Sequence, residues 1–359
     1  MNVLLGLPLG LPLLGAAVTT IVRARRAQRL VSFAALFGAL ASSIAVVVHL
    51  ATEGDIVVSR LGAWPGDIAI TLVGDRLAAL MAVIAGALLV LVLAFAIGQR
   101  AADERSPFYH PAYLVLAAGI AQAFFAGDLF NLFVAFELLL MSSYVLLTLE
   151  GTDAQIRSGT TYVVLNVVES TVLLTAVGLV FAATGTVSMA ELPERLAELP
   201  DGVRTGLHLL LLVAFGIKAA VFPLFFWLPD ADPAAPSSVT AVFAGLLTKV
   251  GSYCMIRLET LLFPGEAATL LLWIAGLTML VGVFGAISHV EMKRVLSFHI
   301  VSQIGYMVMG IGLGTQAALA ATVFYLVHHI PVKASLFLVQ GIIETETGST
   351  AFDDVGGML

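Results

Sequence analysis

The chain has 359 residues, 60% of them hydrophobic and only 11% charged, with a mean hydropathy of +1.02. An ordinary soluble domain carries roughly 25% charged residues, so the composition excludes one and describes an all-α polytopic membrane protein. The net charge of −7 comes from loops and ends without a basic stripe, which excludes nucleic acid as a partner, and one cysteine, Cys254 in an apolar run, excludes a disulfide framework or a zinc cluster.

The N-terminal stretch MNVLLGLPLGLPLLGAAVTTIV lacks a positive leading region and is too long for a signal peptide. The charges follow it, in RARRAQR, as they do after a first span that stays in place. A spanning helix needs about 20 mostly apolar residues. Eleven such segments are predicted, at 3–22, 30–51, 72–98, 109–126, 128–149, 158–184, 206–228, 236–262, 267–288, 294–314 and 316–342. The links are short except 52–71 and 185–205. In the second, Ser188 and Glu191 have capping-box spacing, so a short surface helix is expected there.

Cations orient the set. With the N-terminus outside, inner loops hold Arg23, Arg25, Arg26, Arg29, Arg100, Arg105, Arg157, Lys293 and Arg294. Outer loops and span edges hold Arg60, Arg76, Arg195, Arg204 and Arg257. The remaining cations, Lys218, Lys249 and Lys333, fall inside spans.

Those three are joined at mid-span by Glu137, Glu169 and His329. A charge at a helix centre costs roughly 2.5–3.5 kcal/mol on insertion scales, and four or five together cost on the order of 10 kcal/mol. They must face one another or water. A carboxylate about 6 Å from a lysine favours its protonated form by roughly 3 kcal/mol at an effective dielectric near 20. A Glu–Lys pair of varying separation therefore acts as a proton switch, the role expected for Glu137 and Lys218.

Proline adds to the pattern. Pro223 in GIKAAVFPLFFWLP has no N–H and frees the carbonyl of Ala219, next to Lys218. A helix broken beside a mid-membrane charge is how ion-coupled transporters place backbone dipoles at an ion site. In YLVHHIPVKASLF, Pro331 frees the carbonyl of Val327, beside His328, while His329 and Lys333 share a helix face at i, i+4. Each residue also has a packing explanation. Packing alone can set a lysine against a glutamate to join two helices, Glu169 on a water pocket, and His328 and His299 in ordinary hydrogen bonds. The joint row of charges at one depth is what packing explains poorly. No phosphate loop, haem or iron–sulfur pattern, or metalloprotease spacing is present, so no cofactor, no metal and no catalytic residue is expected.

Several stretches together resemble a known family. FELLLMSSYVLL, GIKAAVFPLFFWLPDADPAAPSSVTAVFAGLLTKVGSYCMIR, EMKRVLSFHIVSQIGYMVMG and VHHIPVKASLFLVQG are similar to the antiporter-like subunits shared by respiratory complex I and the Mrp-type sodium/proton antiporters. The likeness covers most of residues 70–359, and LSFHIVSQIGYM, with His299, is most similar to Mrp D-type subunits. The resemblance implies a fold of inverted five-helix repeats with broken helices. It makes Glu137 the switch carboxylate, Lys218 its partner on a broken helix, Lys249 the central relay, and His329 and Lys333 the continuation. It divides the chain into a three-span region (1–108), a first repeat (109–262) and an incomplete second repeat (263–359). Relatives have about fourteen spans, so a longer parent chain is expected. The implied function is proton translocation in a multisubunit cation/proton antiporter, a secondary transporter rather than an enzyme. Its partners are the A, B, C, E, F and G type subunits, protons, sodium or another monovalent cation, and lipid, in a bacterial inner membrane. The alternatives are a proton-pumping subunit of a complex I-type or hydrogenase-linked oxidoreductase, and an assembly scaffold with vestigial charges.

Overall fold

The computed structural model describes residues 2–61, 70–99, 104 and 106–356. Arg100 and Arg105 of the expected inner loop lie outside the described residues. Helices follow the apolar runs: α1 (Asn2–Ile21), α2 (Arg25–Thr52), α3 (Arg76–Gly98), α4 (Tyr109–Phe125), α5 (Leu129–Leu147), α6 (Asp153–Thr184), α7 (Leu192–Ala197) and α8 (Asp201–Ala219). Then come α9 (Leu228–Ala234), α10 (Ser237–Val242), α11 (Thr248–Arg257), α12 (Ala268–Ile287), α13 (Met292–Leu313) and α14 (Gln316–Thr347). π-helical turns at Phe243–Leu247 and Leu258–Leu262 make α10 and α11 one continuous rod, Ser237–Leu262.

Ten of the described helices are long and apolar enough to cross a membrane. The fourth segment of the eleven forms α4, which at 17 residues is the shortest of the long helices. Two other expected segments change character at an end. Residues 70–74 form strand β2 (Ile70–Gly74), antiparallel to β1 (Val57–Leu61). Helix α3 starts only after Asp75, whose side chain caps it by accepting from the Ala78 amide at 2.8 Å. The segment expected at 206–228 is helical only to Ala219.

The short helix expected in 185–205 is α7, but it begins at Leu192. The Ser188 carbonyl, not its hydroxyl, accepts from the Glu191 and Leu192 amides, and Glu191 accepts from the Thr186 hydroxyl at 2.9 Å. The local ST turn at Thr186 wins the carboxylate that a capping box would use.

The chain forms two compact units: Met1–Leu149 with Val167–Ala214, and Glu150–Asn166 with Phe215–Leu359. This division by packing differs from the three segments expected by repeat.

In the first unit α1 packs on α2 and α4, α2 on α3, and α4 on α5. One end is tied by the hairpin. Leu72 bridges to Ala126, Asp128 bridges to Ser188, and the Asp128 carboxylate accepts from the amides of Thr71 (2.9 Å) and Asn131 (2.6 Å). At the other end Arg29 holds Glu104 through two contacts of 2.7 and 2.8 Å, and His110 Nε2 lies 3.1 Å from the same carboxylate. Burial works to raise the Glu104 carboxyl. The hydrogen bonds from Arg29 and His110, with the guanidinium charge, outweigh it and hold the carboxyl low.

In the second unit α12 packs closely on α13, α13 on α14, and α10 on α14. Glycine permits the α12–α13 approach: a Cβ on Gly282 would lie 2.7 Å from the Ser302 Cα.

Candidate functional site: a row of buried lysines and a broken helix

Lys218 stands at the end of α8. The helix stops one residue later because Ala220 takes a left-handed φ of 60°, a conformation that ends helices and is costly for a residue with a Cβ. The backbone then runs unwound to Trp227, through a cis Phe222–Pro223 peptide. The break thus begins three residues before Pro223. Its polar groups find partners: the Val221 amide donates to the Gly216 carbonyl at 3.1 Å, and the Trp227 indole N–H donates to the Ile217 carbonyl at 2.8 Å. The Phe222 amide donates to the Thr278 hydroxyl at 3.0 Å.

The Lys218 ammonium is 2% exposed and donates to the Asn166 side-chain oxygen at 3.3 Å. Asn166 is oriented by its own donation to the Tyr162 carbonyl at 2.8 Å. The negative end of α8 adds a favourable field. Gly251 seals this corner: a Cβ there would stand 2.7 Å from the Lys218 carbonyl carbon and 2.8 Å from the Ala219 Cα.

Lys249 is fully buried immediately after the π-turn. A π-turn widens the helix by one residue and is common at functional sites. Lys249 reaches the Ala244 carbonyl at 2.5 Å and the Thr248 hydroxyl at 3.1 Å.

Lys333 is also fully buried and contacts the His299 Nδ1. His329, one turn before it, is 3% exposed, and neither ring nitrogen has a hydrogen-bond partner among the described residues. The groups acting on it electrostatically are Lys249, Lys333, His299 and His328. Tyr325 stacks on its ring at 5.9 Å. His328 points the other way, exposed, and stacks on Phe324.

Pro331 does not break α14, which continues through it from Gln316 to Thr347. A proline removes a single helical hydrogen bond, and a long helix packed on its neighbours tolerates the loss. The broken helix seen among the described residues of this unit is the one at the Pro223 region.

Glu137 and Glu169 belong to the first unit. Glu137, midway along α5, is half-buried and accepts from the Ser170 hydroxyl of α6. Glu169 is 2% exposed on α6.

Asn166, Ser170, Thr248, Thr278 and Gly251 are additions to the residues expected from sequence. Asn166 carries a readable signal, a polar side chain deep in an apolar span. Gly251 carries none, since its role is the space it leaves.

Ten described helices long and apolar enough to span, a helix interrupted next to a buried lysine and two further fully buried lysines define a membrane-embedded protein with charges held in its interior. Residues 126–359 match the family model described as NADH:quinone oxidoreductase/Mrp antiporter, TM, and the chain belongs to that antiporter-like membrane family. It is 42% identical to the D-type Na(+)/H(+) antiporter subunit of Alkalihalophilus pseudofirmus, over 100% of this chain and 74% of that protein. It is 34% identical to the D-type Na(+)/H(+) antiporter subunit of Bacillus subtilis, with the same coverage. Among solved structures it matches the Mrp complex from a Dietzia species with a TM-score of 0.89 and 36% identity, over 96% of this chain and 65% of that one. It also matches the membrane-bound sulfane sulfur reductase, an archaeal respiratory membrane complex, with a TM-score of 0.90 and 25% identity, over 99% of this chain and 74% of that one.

Proposed function

We propose that this chain is the proton-translocating, D-type subunit of a multisubunit Na+(cation)/H+ antiporter. Lys218 beside the helix interruption is the observation that carries the reading. A buried lysine at a helix end, with the Asn166 side chain among its partners, is placed to change partners. In this mechanism Glu137 is the switch carboxylate and Lys218 its lysine partner, from which the proton passes towards Lys249, then His329 and Lys333. Glu169, His299 and His328 are accessory groups. His329, with two unpartnered ring nitrogens, suits a group that takes and passes a proton through water. The D-type names of the relatives and the match to the Mrp complex support this reading. In this reading the chain lies in the bacterial cell membrane with its N-terminus outside, as the excess of cations in alternate loops argues.

Replacing Lys218 by Ala tests it. Sodium-dependent proton exchange in everted vesicles is expected to vanish while the complex still assembles. Wild-type exchange in that variant sinks the proposal, and loss of assembly makes Lys218 structural. The second reading, a proton pump powered by redox chemistry elsewhere in its complex, is favoured by the match to the sulfane sulfur reductase complex. Neighbouring genes separate them: small antiporter subunits in one case, iron–sulfur subunits in the other.

A further inference from the structure

At one end of the second unit, away from the lysine row, α10, α13 and α14 bring four polar side chains together. Glu344 Oε2 accepts from Lys293 Nζ at 2.9 Å, from Gln340 Nε2 at 3.1 Å and from the Ser237 hydroxyl at 3.3 Å. The Lys293 side chain is only 9% exposed, whereas that of Glu344 is 36% exposed and reaches solvent. Gln340 is 2% exposed, and its side-chain oxygen, Oε1, is buried without a hydrogen-bond partner among the described residues. A buried amide oxygen left so is costly unless a water meets it. Arg294, Glu291 and Asp230 also lie at this end, with Arg294 3.6 Å from each of the two carboxylates, and Glu346, Asp353 and Asp354 follow in the segment that pairs back to Glu291.

Position along α14 gives the cluster its meaning. Gln340 lies one turn inward from Glu344, and Lys333 lies seven residues further in, about 10 Å along the axis. All three are on the face of α14 that packs inward, with Phe337, itself fully buried, between Gln340 and Lys333. Ser237 begins the rod that carries Lys249.

We propose that Glu344 is the water-facing proton port of the Lys333 branch, set by Lys293 and Ser237, with a water at the Gln340 amide oxygen as its inner neighbour. The step is a proton transfer only. Glu344 takes a proton from bulk water and loses its charge-assisted bond to Lys293. The carboxylic acid gives that proton to the water at Gln340, which delivers it past Phe337 to the Lys333 amine. Glu344 then regains its charge and its bond to Lys293. Reversal releases a proton.

The inference rests on the antiporter reading, so Lys218→Ala is carried as the control. Whole complexes bearing Glu344→Gln, Glu344→His, Glu344→Asp or Gln340→Leu are assayed in everted vesicles at pH 7, with complex abundance measured in parallel. Glutamine keeps the size and the accepting oxygen of Glu344 but carries no proton. It is expected to slow exchange at least about tenfold, below the roughly 100- to 10,000-fold typical of a positioned proton carrier because water replaces part of its role. Gln340→Leu is expected to slow it similarly. His and Asp, which titrate, are expected to recover most of the rate. A His variant as slow as Gln overturns the port, because a merely structural ion pair to Lys293 is worse served by a cation. A wild-type rate in Glu344→Gln also overturns it. If Lys218→Ala is silent in the same vesicles, the port alone has failed; if Lys218→Ala exchanges normally, the antiporter reading has failed first.

Discussion

Lys218 keeps a charge in a place that costs roughly 2.5–3.5 kcal/mol. A helix C-terminus returns up to about 2 kcal/mol to a cation held against it. A hydrogen bond to a charged group, here from Asn166, contributes about 1.5–3 kcal/mol. Glu137 is the carboxylate proposed to act in the same relay, and its substitutions separate charge from shape. Glu137→Gln is expected to be as damaging to sodium-dependent proton exchange as Glu137→Ala, whereas Glu137→Asp retains partial activity. Equal, near-full activity in the Gln and Asp variants removes Glu137 from the mechanism. That Lys218, Lys249 and Lys333 lie within apolar segments was legible in sequence because hydropathy counts residues along the chain. The contact between Lys333 and His299 was not, because their separation of 34 positions says nothing of how α13 and α14 rotate.

Among the elements, the apolar runs announced the helices, and the helix broken after Lys218 was legible from a proline beside a lysine. Its start was not: the turn belongs to Ala220, and nothing in an alanine forecasts a positive φ. Pro331 misled for the complementary reason, since proline marks a lost hydrogen bond and packing decides whether the helix follows. Gly251 offers a test of the break as an object. Alanine there overlaps the Lys218–Ala219 peptide and is expected to cost about 1–3 kcal/mol by overpacking. Melting of the purified complex in detergent reads the destabilisation, and exchange is expected to fall with it. A fully active, equally stable Gly251→Ala protein shows that the corner yields. At the far end of the first unit, the Arg29–Glu104–His110 clamp responds to acid. The Glu104 carboxyl sits below its unfolded value of about 4.3. Its stabilisation is therefore complete above that value and lost as pH falls through the lower folded one. Glu104→Gln is expected to lower stability by roughly 1–2 kcal/mol, less than for a fully buried pair because the Arg29 side chain is 34% exposed. The melting difference from wild type is expected at pH 7 and to shrink below about pH 4.

On the scale of the whole molecule, polar groups well inside the spans, His299 and His328, are exposed on this chain. Lipid offers them no hydrogen bonds, so further protein is the cover expected within a complex. Proteoliposomes made with this chain alone are expected to show little or no sodium/proton exchange by pH-dye quenching, and those made with the whole complex to show it. Robust sodium-dependent dequenching from the lone chain favours a self-contained transporter. The unwound stretch, finally, carries its own optical label. The Trp227 indole donates to the Ile217 carbonyl, the residue before Lys218, and its ring meets Tyr162 edge-on at 5.7 Å. Indole emission is sensitive to that bond and to nearby charge, and the chain has only two other tryptophans, Trp64 and Trp273. With those two replaced by phenylalanine, the fluorescence of a single native side chain reports in real time what happens beside the buried ammonium, with no attached dye.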